Sequence, residues 1–348
     1  MLERQGTTCG AEPLASKRYA AHFNYATTLE SQGDVSGAVT HYEAAYAIDP
    51  GRAEALDALA RLGHLPNPTP VACDDPTPPA DPTPSEAPDG TQFVTVTEDA
   101  FDLNGKPFLI RGVNYYPRHA PWNRFLEVAN PAEMATELDL IQSAGFNTIR
   151  IFLRYDALFT CEPEQAIPNE AGFARVDALL HLAQARDLRV MVTLNDLPDL
   201  RFRPLYTDWE RYDAQTVYIV QRYRHQPIII AWDLRNEGDL DYGARTGDSP
   251  KFSQADVMAW VAHISTLIRE HDPYHLITAG WWGDPAVTTP YVDFLSFHHW
   301  SNAAELQARI EAYQANADKP LLLQEVGYHS WAEAPADART EEAQAEAR

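Results

Sequence analysis

The fold prediction for this chain starts from one stretch of sequence, Ile228-Ile-Ile-Ala-Trp-Asp-Leu-Arg-Asn-Glu-Gly-Asp239. It begins with a short apolar run rich in β-branched residues, which is typical of a strand buried in a parallel sheet. The run gives way to polar residues at Asn236 and Glu237. In barrels of alternating strands and helices, functional groups lie at the carboxyl ends of the strands. Glu237 is therefore a candidate catalytic residue.

A second stretch, Pro320-Leu-Leu-Leu-Gln-Glu-Val-Gly327, has the same order of an apolar run followed by a glutamate, Glu325. One carboxylate alone does not define a mechanism. Two carboxylates at the ends of two strands are the arrangement that cleavage of a glycosidic bond requires. The sequence thus predicts that Glu237 and Glu325 form a catalytic pair.

The composition excludes several classes of protein. The chain has 348 residues, 45% of them hydrophobic, which is enough for one large domain and a smaller one. Its 27 basic and 50 acidic residues give a net charge of −23, so it is poorly suited to bind nucleic acid. No apolar run is long enough to cross a membrane. Cys9, Cys73 and Cys161 are widely spaced, which indicates neither a disulfide framework nor a zinc site.

Residues 17–63 form a predicted helical segment, preceded by residues 1–16, which we expect to be disordered. The segment is rich in Ala and breaks at Asp49-Pro50-Gly51. Its spacing resembles a tetratricopeptide repeat, and an ordinary helical hairpin is the alternative. The positions that fit the repeat are Tyr25, Ala26, Leu29, Ala38, Tyr42, Ala45 and Pro50. Since about three repeats are usually needed for stability, we expect this segment to use a protein partner or further upstream sequence.

Residues 64–91 form a predicted linker rich in Pro, Thr, Asp and Ala. This composition favours extended polyproline II and cannot build a packed core. A plain interdomain spacer is a sufficient interpretation. Similar Pro/Thr-rich spacers often separate modules of extracellular carbohydrate-active proteins, which suggests an extracellular or cell-envelope location. The N-terminal residues lack the apolar core of a signal peptide, so the sequence leaves the localisation open.

From residue 92 to residue 348, predicted strands alternate with predicted helices. The strands are predicted at 108–114, 148–153, 190–194, 228–232, 276–279, 292–297 and 321–324, and the helices at 131–144, 174–185, 214–224, 254–270 and 303–315. A hairpin with a turn at Asn104-Gly105 is predicted before the first strand. This order predicts an α/β fold, a TIM (β/α)₈-type barrel. An open doubly wound sheet is disfavoured because no glycine-rich phosphate loop follows a strand.

The end of the chain is predicted to leave this barrel incomplete. After Glu325 there is no apolar β-branched run for an eighth strand, and Ala336 to Arg348 has the composition of the beginning of a helix. We therefore expect a C-terminally shortened barrel, lacking its eighth strand and last helix, that is poorly stable and weakly active alone. A seven-strand variant and completion by a second chain are the alternatives.

Residues 93–330 resemble the catalytic barrel of glycoside hydrolase clan A, most closely the family 5 cellulases and mannanases. The resemblance rests on motifs at the predicted strand ends, each weak alone and specific in combination. The motifs are Arg111-Gly-Val-Asn-Tyr-Tyr116, Gly145-Phe-Asn-Thr-Ile-Arg150, Trp232-Asp-Leu-Arg-Asn-Glu237, His298-His-Trp300 and Gln324-Glu-Val-Gly327.

The resemblance implies a role for each glutamate. Glu237 would be the acid/base, which protonates the leaving oxygen and then activates water, and Glu325 would be the nucleophile. Two carboxylates about 5 Å apart are not both comfortably charged, so one of them can hold a proton. Asn236 would bind the sugar 2-hydroxyl.

Two further residues are implied to support the glutamates. Arg150 would lie under Glu325 and keep it ionised, although it could instead be a structural ion-pair partner, and Arg154 is its rival for the role. His298 would help to position the groups around Glu325, and the adjacent His299 is the alternative for this role.

Aromatic residues on the same predicted face indicate a carbohydrate substrate, because sugar rings stack their C–H faces on aromatic planes. Tyr115, Trp282 and Trp300 are predicted to bind substrate, and loop packing is the alternative for any one of them. Other aromatics predicted on this face are Tyr116, Trp122, Trp281 and Trp331. The chemistry requires no metal and no organic cofactor.

Two positions depart from the family pattern. Family 5 often has a histidine after the third strand, where this chain has Asn195 and Asp196. The usual His-x-Tyr after the sixth strand is replaced by His298-His-Trp300. The tyrosine hydroxyl that would contact the nucleophile is therefore absent, and the subsite chemistry is left open.

The leading hypothesis is a retaining β-glycosidase that hydrolyses O-glycosidic bonds in β-linked hexose glycans of the β-mannan or β-glucan type. A transglycosylase that uses the same site is one alternative. The other alternative is a non-catalytic carbohydrate-binding or scaffold protein in which the helical repeat is the functional segment.

Overall fold

The computed structural model describes residues 8–9, 12–48, 53–62, 92–98, 100–160, 167–196, 200, 205–242, 252–315 and 317–327. The chain divides into two compact units, Met1–Asp74 and Asp75–Arg348. The predicted linker at 64–91 and the predicted helical tail at 336–348 lie outside the described residues, so both stay predictions. No helix in the described ranges has the length and apolar character needed to span a membrane.

The first unit contains three helices, α1 (Leu14–Ser31), α2 (Val35–Ile48) and α3 (Ala53–Arg61). Helix α1 begins within the segment predicted to be disordered, and the pair Thr8–Cys9 and Glu12–Pro13 precedes it. Gly33 has a φ of 82°, which lets the chain leave α1 in the left-handed region. Asp34 then accepts a hydrogen bond from the Gly37 amide at 3.0 Å and caps α2.

Small and aromatic residues form the core of this unit. Ala26, Ala38 and Tyr42 are buried between the helices, as the repeat pattern predicts. Tyr25 is 52% exposed and lies outside that core. The Tyr42 hydroxyl donates to Glu30 at 2.8 Å, which ties the second helix to the first.

The second unit is a parallel seven-stranded sheet that forms a nearly closed barrel, which confirms the predicted fold class. Its strands pair in chain order, and β1 and β7 are the two edges within the described residues. The strands are β1 (Gly112–Asn114), β2 (Thr148–Phe152), β3 (Arg189–Thr193), β4 (Ile229–Asn236), β5 (Leu276–Trp281), β6 (Leu295–His299) and β7 (Leu321–Val326). The expectation about an eighth strand concerns residues beyond Gly327, which the structure does not describe.

Helices connect most of these strands. They are α4 (Pro131–Ser143), α5 (Glu170–Gln184), α6 (Glu210–Tyr223), α7 (Gln254–His271) and α8 (Ala303–Gln314). Helix α7 begins with a reciprocal capping box between Ser253 and Asp256. Strands β5 and β6 are joined by the 3₁₀ turn Pro285–Thr288 without a longer helix. The remaining short elements are Trp122–Arg124, Phe125–Val128, Tyr155–Leu158, Phe159–Thr160, Ile167–Pro168 and Gly238–Asp241.

The predicted hairpin precedes β1. Thr95–Thr97 pairs with Ala100–Asp102, and the predicted turn at Asn104 and Gly105 follows it with φ values of 60° and 72°. Phe101 packs edge-on against Phe294, with ring centroids 4.9 Å apart. The hairpin therefore packs against residues at the amino-terminal ends of the strands, opposite to the predicted site.

Strand β4 is longer than its apolar run predicts. It continues from Ile229 to Asn236, and every residue in it is buried. Asp233 and Arg235 therefore lie inside a buried strand. A buried charge is costly unless it is paired, so each of them needs a partner.

Candidate active site

The two predicted catalytic glutamates lie at the carboxyl ends of β4 and β7. Glu237 directly follows β4, and its backbone is in the left-handed region with a φ of 55°. Its amide donates to the Gly280 carbonyl on β5 at 2.7 Å. Glu325 lies within β7 and is 9% exposed. The fold thus places both side chains at the same end of the barrel.

His298 on β6 brings the two carboxylates together. Its Nδ1 lies 3.1 Å from Glu237 Oε1 and 3.6 Å from Glu325 Oε2. One carboxylate oxygen of each glutamate and one ring nitrogen of His298 all lie within 4.8 Å of one another. Carboxyl groups about 5 Å apart are typical of retaining glycosidases, whereas inverting enzymes separate them by about 6.5–9.5 Å.

Arg150 is the cation beneath Glu325. Its Nη1 donates to Glu325 Oε1 at 2.5 Å, and its Nη2 donates to Asp233 Oδ2 at 2.6 Å. Burial opposes the Arg150 charge, but the two carboxylates outweigh it and raise the pKa of the guanidinium. The alternative, Arg154, pairs with Asp156 instead. The structure therefore places Arg150, and not Arg154, against Glu325.

Asn236 and Asp233 complete this network. Asn236 Oδ1 accepts a hydrogen bond from Arg150 Nη2 at 2.9 Å. Asp233 accepts from Thr193 Oγ1 at 2.7 Å and from the Gly280 amide at 2.9 Å, in addition to Arg150. The guanidinium thus orients the amide next to Glu237 as well as the carboxylate of Glu325.

The adjacent histidines point in opposite directions, as successive residues of a strand do. His298 is fully buried, and its Nε2 lies 3.0 Å from Gln324 Oε1. His299 Nε2 lies 2.9 Å from the carbonyl of Asn302. His298, and not His299, is the one that faces the glutamates.

Trp300 supplies a donor that the sequence comparison with the family did not predict. Its indole Nε1 donates to Glu325 Oε2 at 3.3 Å. A Cβ atom at Gly327 would overlap the indole ring. The glycine after β7 therefore allows the indole to lie against the strand that carries Glu325.

The other predicted aromatics differ in their placement. Tyr115 is buried, and its hydroxyl donates to Glu137 on α4 at 2.7 Å. Burial, with the adjacent Glu137 charge, raises the pKa of the Tyr115 phenol. The structure does not bring Tyr115 to the glutamates, because Asn114 points towards Arg150 and the next residue of an extended chain points the other way. Tyr116 donates to Asp196 at 2.8 Å.

Trp282 lies at the carboxyl end of β5 and is 39% exposed. Its amide donates to Asp239 at 2.9 Å, and its carbonyl accepts from Arg309 at 2.6 Å. Hydrogen bonds to its amide and to its carbonyl thus fix the backbone at Trp282. Trp281, also predicted on this face, is fully buried, and Trp122 is 61% exposed. Trp331 lies outside the described residues.

The sequence analysis did not identify Asp233, which belongs to the Arg150 network, or Asp239, which lies in the turn after Glu237. Asp233 could have been found, because a carboxylate inside an apolar strand requires a buried cation. Asp239 accepts the amides of Trp282 and Gly283. Burial raises the pKa of Asp239, and these amides partly oppose that shift.

Glu237, His298 and Glu325 are also the residues that could hold a metal ion within the described part of the chain. Both oxygens of Glu325 already accept hydrogen bonds, one from Arg150 and one from Trp300. A divalent cation here would have to displace the guanidinium or share its carboxylate. The donor set therefore fits proton transfer and nucleophilic attack better than metal binding.

A family model described as cellulase (glycosyl hydrolase family 5) matches residues 101–340. The match covers more than half of the chain, so the chain belongs to glycosyl hydrolase family 5 and is a glycoside hydrolase. A tetratricopeptide repeat model matches residues 20–62, which confirms the predicted character of the helical segment.

The chain is similar to several proteins that are named mannan endo-1,4-beta-mannosidases. Mannan endo-1,4-beta-mannosidase A of Podospora anserina is 27% identical over 297 residues, covering 69% of this chain and 73% of that protein. Probable mannan endo-1,4-beta-mannosidase C of Aspergillus terreus is 26% identical, covering 60% of this chain and 64% of that protein. The chain spans about half of mannan endo-1,4-beta-mannosidase F of Aspergillus fumigatus, at 47% of its length.

Solved structures share the barrel. The endo-1,4-beta-mannanase from Rhizomucor miehei superimposes with a TM-score of 0.58 at 22% identity, covering 69% of this chain and 84% of that chain. The beta-1,4-D-mannanase from Cryptopygus antarcticus gives a TM-score of 0.55 at 17% identity, covering 67% of this chain and 80% of that chain. At these identities the likeness shows the fold.

Proposed function

We propose that this chain hydrolyses β-1,4-linked mannan-type glycans by double displacement. The main support for the proposal is the pair of carboxylates. One oxygen of Glu237, one oxygen of Glu325 and one ring nitrogen of His298 lie within 4.8 Å of one another. The names of the similar proteins favour mannan over other β-linked hexose glycans. The predicted protein partner of the helical repeat stays a prediction.

The contacts of the two glutamates support different roles. Glu325 lies against the Arg150 guanidinium at 2.5 Å, which holds its carboxylate in place and suits a nucleophile. Within the described residues, Glu237 pairs with His298 and with no arginine or lysine. Glu237 is therefore the better candidate for the acid/base that acts on the leaving oxygen.

His298 contacts Glu237 through one ring nitrogen and Gln324 through the other. Gln324 Oε1 can only accept, so His298 Nε2 at 3.0 Å is the donor in that contact. His298 Nδ1 lies 3.1 Å from Glu237 Oε1, beside the residue that we assign as the acid.

The proposed reaction has two steps. Glu237 protonates the glycosidic oxygen as a Glu325 oxygen attacks the anomeric carbon, and the leaving sugar departs. The resulting ester is attacked by water, from which Glu237 takes a proton, and the anomeric configuration is retained. Asn236, held by Arg150, is placed to donate to the 2-hydroxyl of the reacting sugar, and Trp282 and Trp300 are proposed to contact substrate.

The test is hydrolysis of a panel of β-glycans and β-linked oligosaccharides, with products identified by mass spectrometry. We expect cleavage of β-1,4-mannan and manno-oligosaccharides, and loss of cleavage in Glu237→Gln and Glu325→Gln. Matched controls are Glu133→Gln and Glu311→Gln, on helices α4 and α8. Turnover unaffected by either active-site variant would contradict the assignment, and cleavage confined to β-glucans would contradict mannan as the substrate.

A further inference from the structure

A buried ion pair flanks the turn that carries Glu237. Arg235 Nη2 donates to Asp241 Oδ2 at 2.9 Å, and the Tyr206 hydroxyl donates to the same oxygen at 2.5 Å. Arg235 Nε donates in turn to the Tyr206 oxygen at 3.2 Å. The exposed fractions of Arg235, Tyr206 and Asp241 are 1%, 2% and 5%. The three side chains form a closed triangle, which we call the 206–235–241 cluster.

The cluster holds the backbone on both sides of Glu237. Arg235 Nη1 donates at 2.6 Å to the carbonyl of Asn236, which belongs to the peptide bond joining Asn236 to Glu237. The same nitrogen donates to the Asn195 carbonyl, just beyond β3, at 3.3 Å. Asp241 ends the 3₁₀ turn Gly238–Asp241 that directly follows Glu237. The cluster therefore ties the last residues of β4 to the turn beyond them.

This turn is one that a glutamate does not adopt readily. A φ of 55° at Glu237 is in the left-handed region, which is strained for a residue with a Cβ atom. Gly238 then passes through a narrow space, where a Cβ atom would lie 2.9 Å from Trp281 Cη2 and 3.0 Å from Arg235 Cγ. The conformation persists because the surrounding contacts determine it.

The direction of the Glu237 side chain depends on this backbone conformation. If the turn relaxed to a right-handed or extended φ, the carboxyl group would swing away from His298 and Glu325. Misplacing a catalytic group by about 1 Å can reduce a rate by about 100-fold. In the described residues, Arg235 donates to neither carboxylate of the pair, so its effect on them has to pass through the backbone.

We propose that the 206–235–241 cluster is a positioning device that keeps the acid/base residue in its left-handed turn. Arg235, Asp241 and Tyr206 are then positioning residues for protonation of the leaving group. The proposal rests on the proposed function, because it assumes that Glu237 is the acid. The proposal predicts that variants of the cluster slow the step in which Glu237 protonates the leaving group more than they slow the other steps.

The experiment compares Arg235→Lys and Tyr206→Phe with the unchanged chain. The kcat/KM values are measured on aryl β-mannosides whose leaving phenols range from dinitrophenol to unsubstituted phenol. Only the poor leaving groups need protonation. We expect Arg235→Lys to lose about 100-fold on the poor leaving groups and far less on dinitrophenol. Tyr206→Phe removes one oxygen and should shift the same ratio by a smaller factor, and azide should restore turnover of the activated substrate.

The matched control is Asp272→Asn. Asp272 is fully buried and accepts a hydrogen bond from Trp232 Nε1 at 2.7 Å, beyond the amino-terminal end of β5 and away from the glutamates. It should lower the melting temperature without changing the dependence on the leaving group. An equal loss by Arg235→Lys and Tyr206→Phe on all leaving groups, as for a purely structural defect, would overturn the proposal.

The variant Glu237→Ala distinguishes failure of the positioning role from failure of the proposed function. If Glu237→Ala shows the steep dependence on the leaving group and Tyr206→Phe does not, the cluster has no positioning role and the acid assignment stands. If Glu237→Ala shows no such dependence, the proposed function itself is wrong, and the positioning role falls with it.

Discussion

The substitution Arg150→Met removes the cation on which the negative charge of the site depends. Arg150 is 3% exposed and pairs with Asp233 at 2.6 Å and Glu325 at 2.5 Å. Breaking a buried ion pair leaves an uncompensated charge and costs about 3–5 kcal/mol. Asp233 keeps its hydrogen bonds from Thr193 and Gly280. We therefore expect the free energy of unfolding to fall by about 3–4 kcal/mol, near the lower end of that range.

Urea unfolding followed by circular dichroism measures this loss, and Arg154→Met is the matched control. The Arg154 side chain is 37% exposed and pairs with Asp156, so removing it should cost about 0–1 kcal/mol. The double variant Arg150→Met/Asp233→Leu should recover part of the stability, because it removes both members of the Arg150–Asp233 pair. It should not recover the activity, because Glu325 still lacks its cation. Equal losses of unfolding free energy in the Arg150→Met and Arg154→Met variants would show that Arg150 does not compensate the buried carboxylates.

Three further predictions concern single residues. Tyr115→Phe should lower the free energy of unfolding by about 1–2 kcal/mol, by removing the hydrogen bond to Glu137, and leave kcat/KM unchanged. Burial opposes ionisation of Asp272, but its histidine and indole neighbours outweigh it and lower its pKa. Its stabilisation is therefore complete above the ordinary aspartate pKa and lost as pH falls, so the melting-temperature deficit of Asp272→Asn should be largest at pH 7 and shrink below about pH 4. Trp300→Phe should lower kcat/KM about tenfold, by removing a donor to Glu325, and Trp300→Tyr should restore part of it.

The sequence predicts best what local pattern and chemistry determine together. The ends of β4 and β7 are visible because an apolar run stops at a glutamate, and Glu237 and Glu325 follow from that alone. The turn at Asn104 and Gly105 is visible because both residues tolerate a positive φ. The fold class follows from the order of strands and helices.

Side-chain direction is harder to predict, because it depends on where each strand begins. Tyr115 is one residue too far along its strand to face the site, although Asn114 does face it. His298 and Trp300 face the glutamates while His299 faces away, and this alternation could have been counted from the sequence. The indole donor to Glu325 could not, because it depends on the space that Gly327 leaves.

The cluster around Arg235 was beyond sequence reasoning for a different reason. Its partners Tyr206 and Asp241 come from separate loops, and neither belongs to a motif. A charged residue inside β4 indicates that some partner exists. Only the fold shows that the partner follows Glu237 along the chain and that Arg235 also reaches the Asn236 carbonyl.

Covalent trapping of the nucleophile is the direct test of double displacement with Glu325 as the nucleophile. The protein is incubated with a 2-deoxy-2-fluoro-β-mannosyl donor bearing an activated leaving group, which slows hydrolysis of the glycosyl-enzyme ester, and is then digested for peptide mass spectrometry. We expect one stoichiometric adduct, on the peptide that contains Glu325, and none in Glu325→Gln. An adduct on Glu237 or on another residue, or a product of inverted configuration by NMR, would contradict it.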